Sequence, residues 1–133
     1  MKFQILTLML CLGASLTFAD KCVTSGQTTI CYDNQGRTIG KAVQNGNKTT
    51  YYDADGGYAG SSMANGNTMT HYGSTGGYSG KSITNGNQTT HYNADGSSSG
   101  KSLRNRNQTT NYDSKGGYAG SSRTNGNTTY YNQ

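Results

Sequence analysis

A 20-residue unit is repeated along most of this 133-residue chain. The rows 41–60, 61–80, 81–100 and 101–120 align without an insertion, the row 21–40 is more divergent, and the row 121–133 stops part-way. A fixed period of this length is typical of stacked supersecondary units, in which each copy buries one face on its neighbours. The repeat therefore predicts one domain over residues 20–133, built from five and a half β-repeats.

Each row predicts two strands and two turns. The Asn45-Gly46 pair and its equivalents favour type I′ hairpin turns, because both central residues of such a turn need positive φ. Arg106 replaces this glycine in the fifth row, so its turn is expected to be strained or differently shaped. Asp53-Ala54-Asp55-Gly56-Gly57 predicts the second turn. With no proline and no helical periodicity, the predicted fold class is all-β: a repetitive stack of strand–turn–strand units, either a β-solenoid or an antiparallel hairpin meander.

Two faces follow from the alternation of side chains along the strands. Pairing across a two-residue Asn-Gly loop would place Met63 opposite Thr68 and Ser61 opposite Thr70. One side then carries an apolar column and a tyrosine column, which we predict to be buried: Val43, Met63, Ile83, Leu103, Tyr52, Tyr72, Tyr92 and Tyr112. The other side carries a threonine column that we predict to be a binding face: Thr49, Thr89, Thr109 and Thr129. The alternative for so polar a chain is disorder.

Residues 1–19 have the three parts of a cleavable signal peptide. Lys2 supplies the positive n-region, residues 5–16 form the apolar h-region, and Thr17-Phe18-Ala19 offers small residues before the cleavage point. An uncleaved anchor is the alternative. The chain is therefore expected to be secreted, either extracellular or periplasmic at the cell surface, with no membrane span after cleavage.

Two cysteines remain after cleavage, and both lie in the first row. In an oxidising compartment Cys22 and Cys31 are expected to form a disulfide that staples the terminal repeat. The apolar column ends in Arg123, which suits a last unit whose outer face meets water. These features predict that the two ends of the stack differ from its middle.

Cleavage also sets the net charge. Without Lys2, ten Lys and Arg face six Asp, which leaves a net charge of +4. Such a surface serves solubility, or attracts a surface glycan or another anionic polymer. The basic residues form no run, and nucleic acid is not an expected partner for an exported chain.

Two resemblances add to this interpretation. The segment Tyr32-Asp33-Asn34-Gln35-Gly36-Arg37, with matches at 52–56 and 112–116, resembles the Y-D-x-x-G-R motif of YD repeats in Rhs-type bacterial proteins, although Tyr72-Gly73 and Tyr92-Asn93 lack the aspartate. This resemblance implies antiparallel strands laid side by side. In overall design the chain also resembles curlin-type subunits, without the curlin motif itself, and that likeness implies stacking along an axis and self-association.

Catalytic and metal chemistry find little support in the sequence. There is no catalytic constellation, so we predict no enzyme, no catalytic residue and no cofactor. His71 and His91 occupy equivalent positions and could form a metal pair, but Tyr51, Asn111 and Tyr131 share their column, so a surface position is favoured and no metal site is predicted.

Two shorter motifs have ordinary explanations. Asp53 and Asp55 resemble a fragment of a calcium loop, yet turn chemistry is favoured because only one row keeps both aspartates. The repeat also creates N-x-T sequons, which matter only where exported proteins are glycosylated. Their asparagines are Asn47, Asn87, Asn107 and Asn127.

The sequence thus favours a secreted, non-enzymatic protein with a structural or adhesive role at the cell surface or in an extracellular matrix, fibre or biofilm. The alternative is a soluble binding module, for glycan or ice, that uses the Thr/Tyr face. Ice enters because regular threonine columns could form a flat array of hydroxyl groups.

Overall fold

The computed structural model of the chain describes residues 21–132. Within this range the chain is all-β, with twelve strands and no helix. The strands are β1 (Lys21–Ser25), β2 (Thr28–Tyr32), β3 (Thr38–Asn45), β4 (Lys48–Asp53), β5 (Tyr58–Asn65), β6 (Thr68–Tyr72), β7 (Tyr78–Asn85), β8 (Gln88–Asn93), β9 (Ser98–Asn105), β10 (Gln108–Asp113), β11 (Tyr118–Asn125) and β12 (Thr128–Asn132).

The predicted signal peptide, residues 1–19, lies outside the described residues. Over residues 21–132 there is no apolar helix long enough to cross a membrane.

The strands form a closed antiparallel barrel. Each strand pairs with its neighbours in sequence, and β1 pairs with β12 through Cys22 opposite Thr129. The predicted hairpin meander is therefore confirmed, whereas the β-solenoid alternative is wrong. Closure explains the outcome, because it pairs the backbone groups that the first and last strands would otherwise leave unpaired at a sheet edge.

One end of the barrel, which we call the turn end, carries the six two-residue hairpin turns. In the turn between β5 and β6, Asn65 pairs with Thr68, and the loop residues are Gly66 and Asn67. Gly66 has φ 60° and Asn67 is not in the positive-φ region, which is the pattern of a type II′ turn. The predicted type I′ turn is therefore wrong, because glycine takes the first central position rather than the second.

This turn shifts the predicted pairing by two residues. Met63 lies opposite Thr70, and Ser61 lies opposite Tyr72. A shift of two leaves every side chain on the same face as before, since the side-chain period of a strand is two residues. The prediction of which residues share a face therefore survives the error in register.

The opposite end, which we call the loop end, carries the five longer connections. In the loop after β4, the Asp53 Oδ1 accepts hydrogen bonds from the backbone N–H groups of Asp55 at 3.0 Å and Gly57 at 2.8 Å. Asp113 makes the equivalent bonds in the loop after β10. The Tyr-Asp rows thus use the aspartate to hold the turn, which agrees with the turn chemistry favoured over a calcium loop.

A β-bulge recurs near the start of each strand that follows one of the loop-end connections. His71 pairs with Gly80, but the next pair is Tyr72 with Tyr78, so one extra residue lies on β7. Gly80 has φ 140°, and a Cβ built on it would lie 2.2 Å from the backbone oxygen of Tyr92 on β8. The glycine column therefore allows the strands of the ring to approach and bend closely.

The buried-face prediction is wrong, because the two faces are inverted. Met63 is 43% exposed on the outside of the barrel, while Ser62 and Ala42 on the opposite face are each 1% exposed. The interior of the ring takes the face whose glycine, serine and alanine columns are small enough to fill it. The remaining residues of the predicted buried column are only half-buried on the outside: Val43, Ile83, Leu103, Tyr52, Tyr72, Tyr92 and Tyr112.

Cys22 and Cys31 are cross-strand neighbours on β1 and β2 and are joined by a disulfide in the interior. This is the pair that the sequence predicts. It does not cap an end, however, because β1 lies between β2 and β12. Arg123 lies on the outer face of β11. Because β11 pairs with β10 and β12 in the closed ring, Arg123 does not mark a terminal unit.

Candidate functional site

Tyrosines pair across neighbouring strands on the outside of the barrel, near the loop end. Tyr52 lies opposite Tyr58, Tyr72 opposite Tyr78, and Tyr112 opposite Tyr118. We call these residues together with Tyr92 the outer tyrosine belt. The second member of each pair is the more open, with exposed fractions of 43% for Tyr58, 46% for Tyr78 and 60% for Tyr118.

Lysines lie over the first tyrosine of several rows. The Nζ of Lys41 is 5.0 Å from the ring centroid of Tyr52, and the same contact recurs at 5.6 Å for Lys81 over Tyr92. Lys101 lies 5.7 Å from the ring of Tyr112, and Lys21 lies 5.8 Å from the ring of Tyr32. At these distances the ammonium is attracted by the ring, and the side chains are held in place on the surface.

These contacts divide the belt into complete and incomplete units. A complete unit has a lysine and two tyrosines, as in Lys41, Tyr52 and Tyr58. The unit at Tyr72 has Ser61 where the lysine would be, and the unit at Tyr92 has Ser98 where the second tyrosine would be. The repeat thus supplies its own natural substitutions at both positions.

Inside the barrel, serines and histidines form a continuous hydrogen-bonded chain, which we call the inner polar chain. The His71 Nδ1 lies 2.9 Å from the Ser62 Oγ, and its Nε2 lies 2.8 Å from the Ser82 Oγ. The chain continues from Ser82 to the His91 Nδ1 at 2.8 Å and from the His91 Nε2 to Ser102 at 2.9 Å.

The chain ends where the Ser102 hydroxyl donates to the Asn111 Oδ1 at 2.7 Å. Because Ser102 uses its proton on Asn111, its oxygen is left to accept from the Nε2–H of His91, and the same direction then runs back to Ser62. Every bond is satisfied with both histidines neutral. Burial lowers the pKa of His71 to about 4, with a further contribution from His91, and burial also lowers the pKa of His91.

Two tyrosines with buried hydroxyl groups share the column of these histidines. Tyr51 is 1% exposed and burial raises its pKa to about 12. Burial also raises the pKa of Tyr131, which packs against the Cys22–Cys31 pair. The Tyr131 hydroxyl has no partner with hydrogen-bond geometry among residues 21–132, and the Tyr51 hydroxyl lies near that of Ser62, which opposes the effect of burial on its pKa, without meeting that geometry.

The predicted threonine binding face lies inside the barrel, and that prediction is wrong. Thr49 is 4% and Thr129 is 8% exposed, and Thr89 and Thr109 are half-buried. The Oγ1 atoms of Thr84 and Thr89 lie 2.9 Å apart, and those of Thr124 and Thr129 lie 2.8 Å apart. These hydroxyl groups bond to each other across strands, so the column offers no flat outer array to ice.

The histidine pair and the sequon asparagines lie in different parts of the barrel. Over residues 21–132 no group of three or more His, Cys, Asp and Glu side chains is arranged to hold a metal ion. His71 and His91 are joined through Ser82, and each ring nitrogen already has a serine partner. The sequon asparagines all occupy the exposed second position of the turns at the turn end: Asn47, Asn87, Asn107 and Asn127.

Sequence reasoning missed both the outer tyrosine belt and the inner polar chain, for one reason. The apolar column predicts the wrong face as the interior. The cysteines carried the opposite signal, because Cys22 shares its column with Ala42 and Ser62, and Cys31 shares its column with Tyr51 and His71. A disulfide predicted to be buried would have assigned that face to the interior.

Comparison with known proteins supports the fold alone. No family model and no curated protein matches the chain. Among solved structures, an X-ray structure of an Arabidopsis thaliana protein matches with a TM-score of 0.65 and 12% sequence identity, over 90% of this chain and 88% of that one. At this identity the chain is similar to the plant protein in architecture, and the likeness carries no function.

Proposed function

We propose that this protein is an exported, non-enzymatic adhesion module that holds an extracellular polysaccharide against the outer tyrosine belt. The observation that carries the proposal is the outward display of paired tyrosines, with Tyr58, Tyr78 and Tyr118 each more than two-fifths exposed. Tyrosine offers a large, rigid contact surface at low cost in conformational entropy, and it is enriched where proteins bind partners.

The lysines that lie over tyrosine rings of the belt favour a polyhydroxylated ligand over an apolar one. Lys41 and Lys101 lie beside tyrosines, so a ring face is bordered by hydrogen-bond donors. A sugar offers an apolar C–H face to the ring and hydroxyl groups to the lysine and to the phenol. A purely apolar partner would leave these groups without hydrogen bonds, at a cost.

Two other observations support an adhesive role over the alternatives. The barrel is closed by β1 and β12, so growth by adding strands to a free edge finds no support among the described residues. The Ser62–His71 pair resembles a nucleophile and base, but Ser62 is 1% exposed, which keeps it from a polymer substrate.

Binding of the exported protein to a panel of neutral polysaccharides, which the basic residues of the barrel do not attract, tests the proposal. The triple variant Tyr58→Ser, Tyr78→Ser, Tyr118→Ser copies the serine found at position 98 and should weaken binding at least tenfold. The control Tyr130→Thr removes an exposed tyrosine outside the belt, in a column that holds threonine in four other rows, and should bind like the wild type. Equal binding by the triple variant, or no binding to any polysaccharide, would refute the proposal.

A further inference from the structure

The aspartates of the barrel lie at one end only, where Arg37 and Lys115 also lie. All five aspartates within residues 21–132 lie at the loop end: Asp33, Asp53, Asp55, Asp95 and Asp113. The turn end carries four basic residues and none of these aspartates: Lys48, Arg104, Arg106 and Arg123. The turn end is therefore positive although the net charge of the chain is modest.

Three of these basic residues belong to neighbouring strands, and we call them the arginine cluster. Arg104 is on β9 in the inward-facing column of Ser102, Arg106 is the first residue of the turn between β9 and β10, and Arg123 is on the outer face of β11, opposite Gln108 of β10. Since β9 and β11 are two strands apart, their backbones are separated by roughly 10 Å. All three side chains are exposed.

Arg106 occupies a backbone conformation that does not suit arginine. Its φ is 54°, and it is the only non-glycine residue with positive φ in residues 21–132. The other five turns have glycine at this position, with φ between 59° and 61°. The turn keeps the shape of its neighbours, so the arginine bears the strain. Strained residues of this kind concentrate at functional sites.

The guanidinium groups of Arg106 and Arg123 are not used within the barrel. Neither makes an ion pair or a side-chain hydrogen bond over the part of the chain that the structure describes. Each presents a planar fork of N–H donors, which matches the oxygens of a carboxylate, sulfate or phosphate. The strain at Arg106 therefore has no compensating side-chain contact of this kind among residues 21–132.

We propose that the arginine cluster is a second binding site, separate from the outer tyrosine belt, for an anionic polysaccharide that carries carboxylate or sulfate groups. A polymer is required because the cluster is open and spread over two strand spacings, so one small anion cannot reach all of it. A chain that crosses the rim of the barrel at the turn between β9 and β10 can place successive anionic groups against the arginines, and each contact then strengthens the next.

The experiment measures the affinity of the full-length exported protein for heparin, which is sulfated, and for polygalacturonate, which is carboxylated. Arg106→Gly and Arg123→Met place the residues of sister rows at these positions, and each should weaken binding roughly tenfold, as expected for the loss of a charged fork. The matched control Lys48→Gln removes the same charge from the same end of the barrel, on a distant strand, and should change affinity less than twofold.

The two polysaccharides distinguish the source of the anionic group, and binding of either supports the proposal. Binding should weaken as salt is raised. Single-stranded DNA and anionic lipid vesicles serve as competitors of other classes. The proposal is overturned if neither polysaccharide binds, if both arginine variants bind like the wild type, or if DNA or vesicles bind more tightly than both polysaccharides. The triple tyrosine variant should leave this binding unchanged, so this site and the tyrosine belt can fail separately.

Discussion

Gly80 on β7 faces the backbone oxygen of Tyr92 on β8 so closely that a Cβ would lie 2.2 Å from it. Gly100 stands in the same relation to Tyr112, at 2.3 Å. Since the obstructing atoms belong to the backbone, no side-chain rotation relieves the clash. Gly80 and Gly100 are thus required for their strands to approach the neighbouring strand as closely as they do.

Gly80→Ala should destabilise the protein by at least about 3 kcal/mol, because the steric clash adds to a φ that alanine rarely adopts. Urea denaturation monitored by tyrosine fluorescence measures this. Gly77→Ala in the same row is the control, since the atom nearest to its new Cβ would be the Thr75 Oγ1 at 3.9 Å, and it should stay within about 0.5 kcal/mol of the wild type. Equal stability of the two variants would show that β7 and β8 do not approach as described.

Arg106→Gly should stabilise the protein by about 1 kcal/mol, because relief of the strained φ exceeds the entropy that glycine adds to the unfolded chain. Thermal unfolding checks the sign. The reverse change, Gly86→Arg, places arginine in the equivalent turn and should lower the melting temperature. A stability gain together with the loss of polyanion binding would show that this arginine is kept for a reason other than folding.

The protein should lose stability as pH falls from about 6.5 to about 4. The pKa of His71 is lowered from 6.5 to about 4 in the folded state by burial, so the unfolded chain binds a proton first. The contribution of this histidine to the free energy of unfolding is therefore fully present above pH 6.5 and is lost as the pH falls through this window. His91, whose pKa is also lowered by burial, acts in the same direction.

His71→Asn with His91→Asn provides the control for this pH dependence, because asparagine occupies the same column at position 111. Equilibrium unfolding of the double variant should show a flat stability between these pH values. Asp33 and Asp95 have pKa values lowered by hydrogen bonds from Arg37 and Ser97, and their effect belongs to more acidic solutions. If the free energy of unfolding of the double variant falls with pH as steeply as that of the wild type, the histidines are not the cause of the pH dependence.

Removing the disulfide should cost roughly 2–3 kcal/mol, the value expected for closing a loop of about ten residues. The comparison is between wild type and Cys22→Ala with Cys31→Ala, measured by urea denaturation. Hydrogen exchange should then accelerate most in β1 and β12, because Cys22 lies between Cys31 and Thr129. Uniform acceleration around the ring would instead indicate that the disulfide does not stabilise this seam in particular.

The sequence predicted the local structure better than the closed fold. Strands, turns and the shared faces follow from periodicity and turn chemistry, which are local properties of each row. Closure depends on the pairing of Cys22 on β1 with Thr129 on β12, and no row contains that information. The choice of interior depends on closure in turn, since Met63 and Ser62 differ in exposure only once one face becomes concave.

The candidate sites show the same division. The Arg106 anomaly is visible in the sequence, because five sister turns have glycine at that position. The outer tyrosine belt is not visible in the sequence, because Tyr52 and Tyr58 become neighbours only through a β-bulge that shifts the register by one residue. The link from His71 to His91 through Ser82 likewise requires knowing that this face is enclosed.

The pairing of β1 with β12 also restricts how this protein can change in length. In an open array a copy can be added or lost without disturbing the rest. Here each row contributes two strands to one ring of twelve, so a duplicated or deleted row would alter the circumference and the curvature at every position. Point substitutions within rows leave the number of strands unchanged. Differences such as Arg106 and Ser98 can therefore give one barrel distinct surfaces without altering its closure.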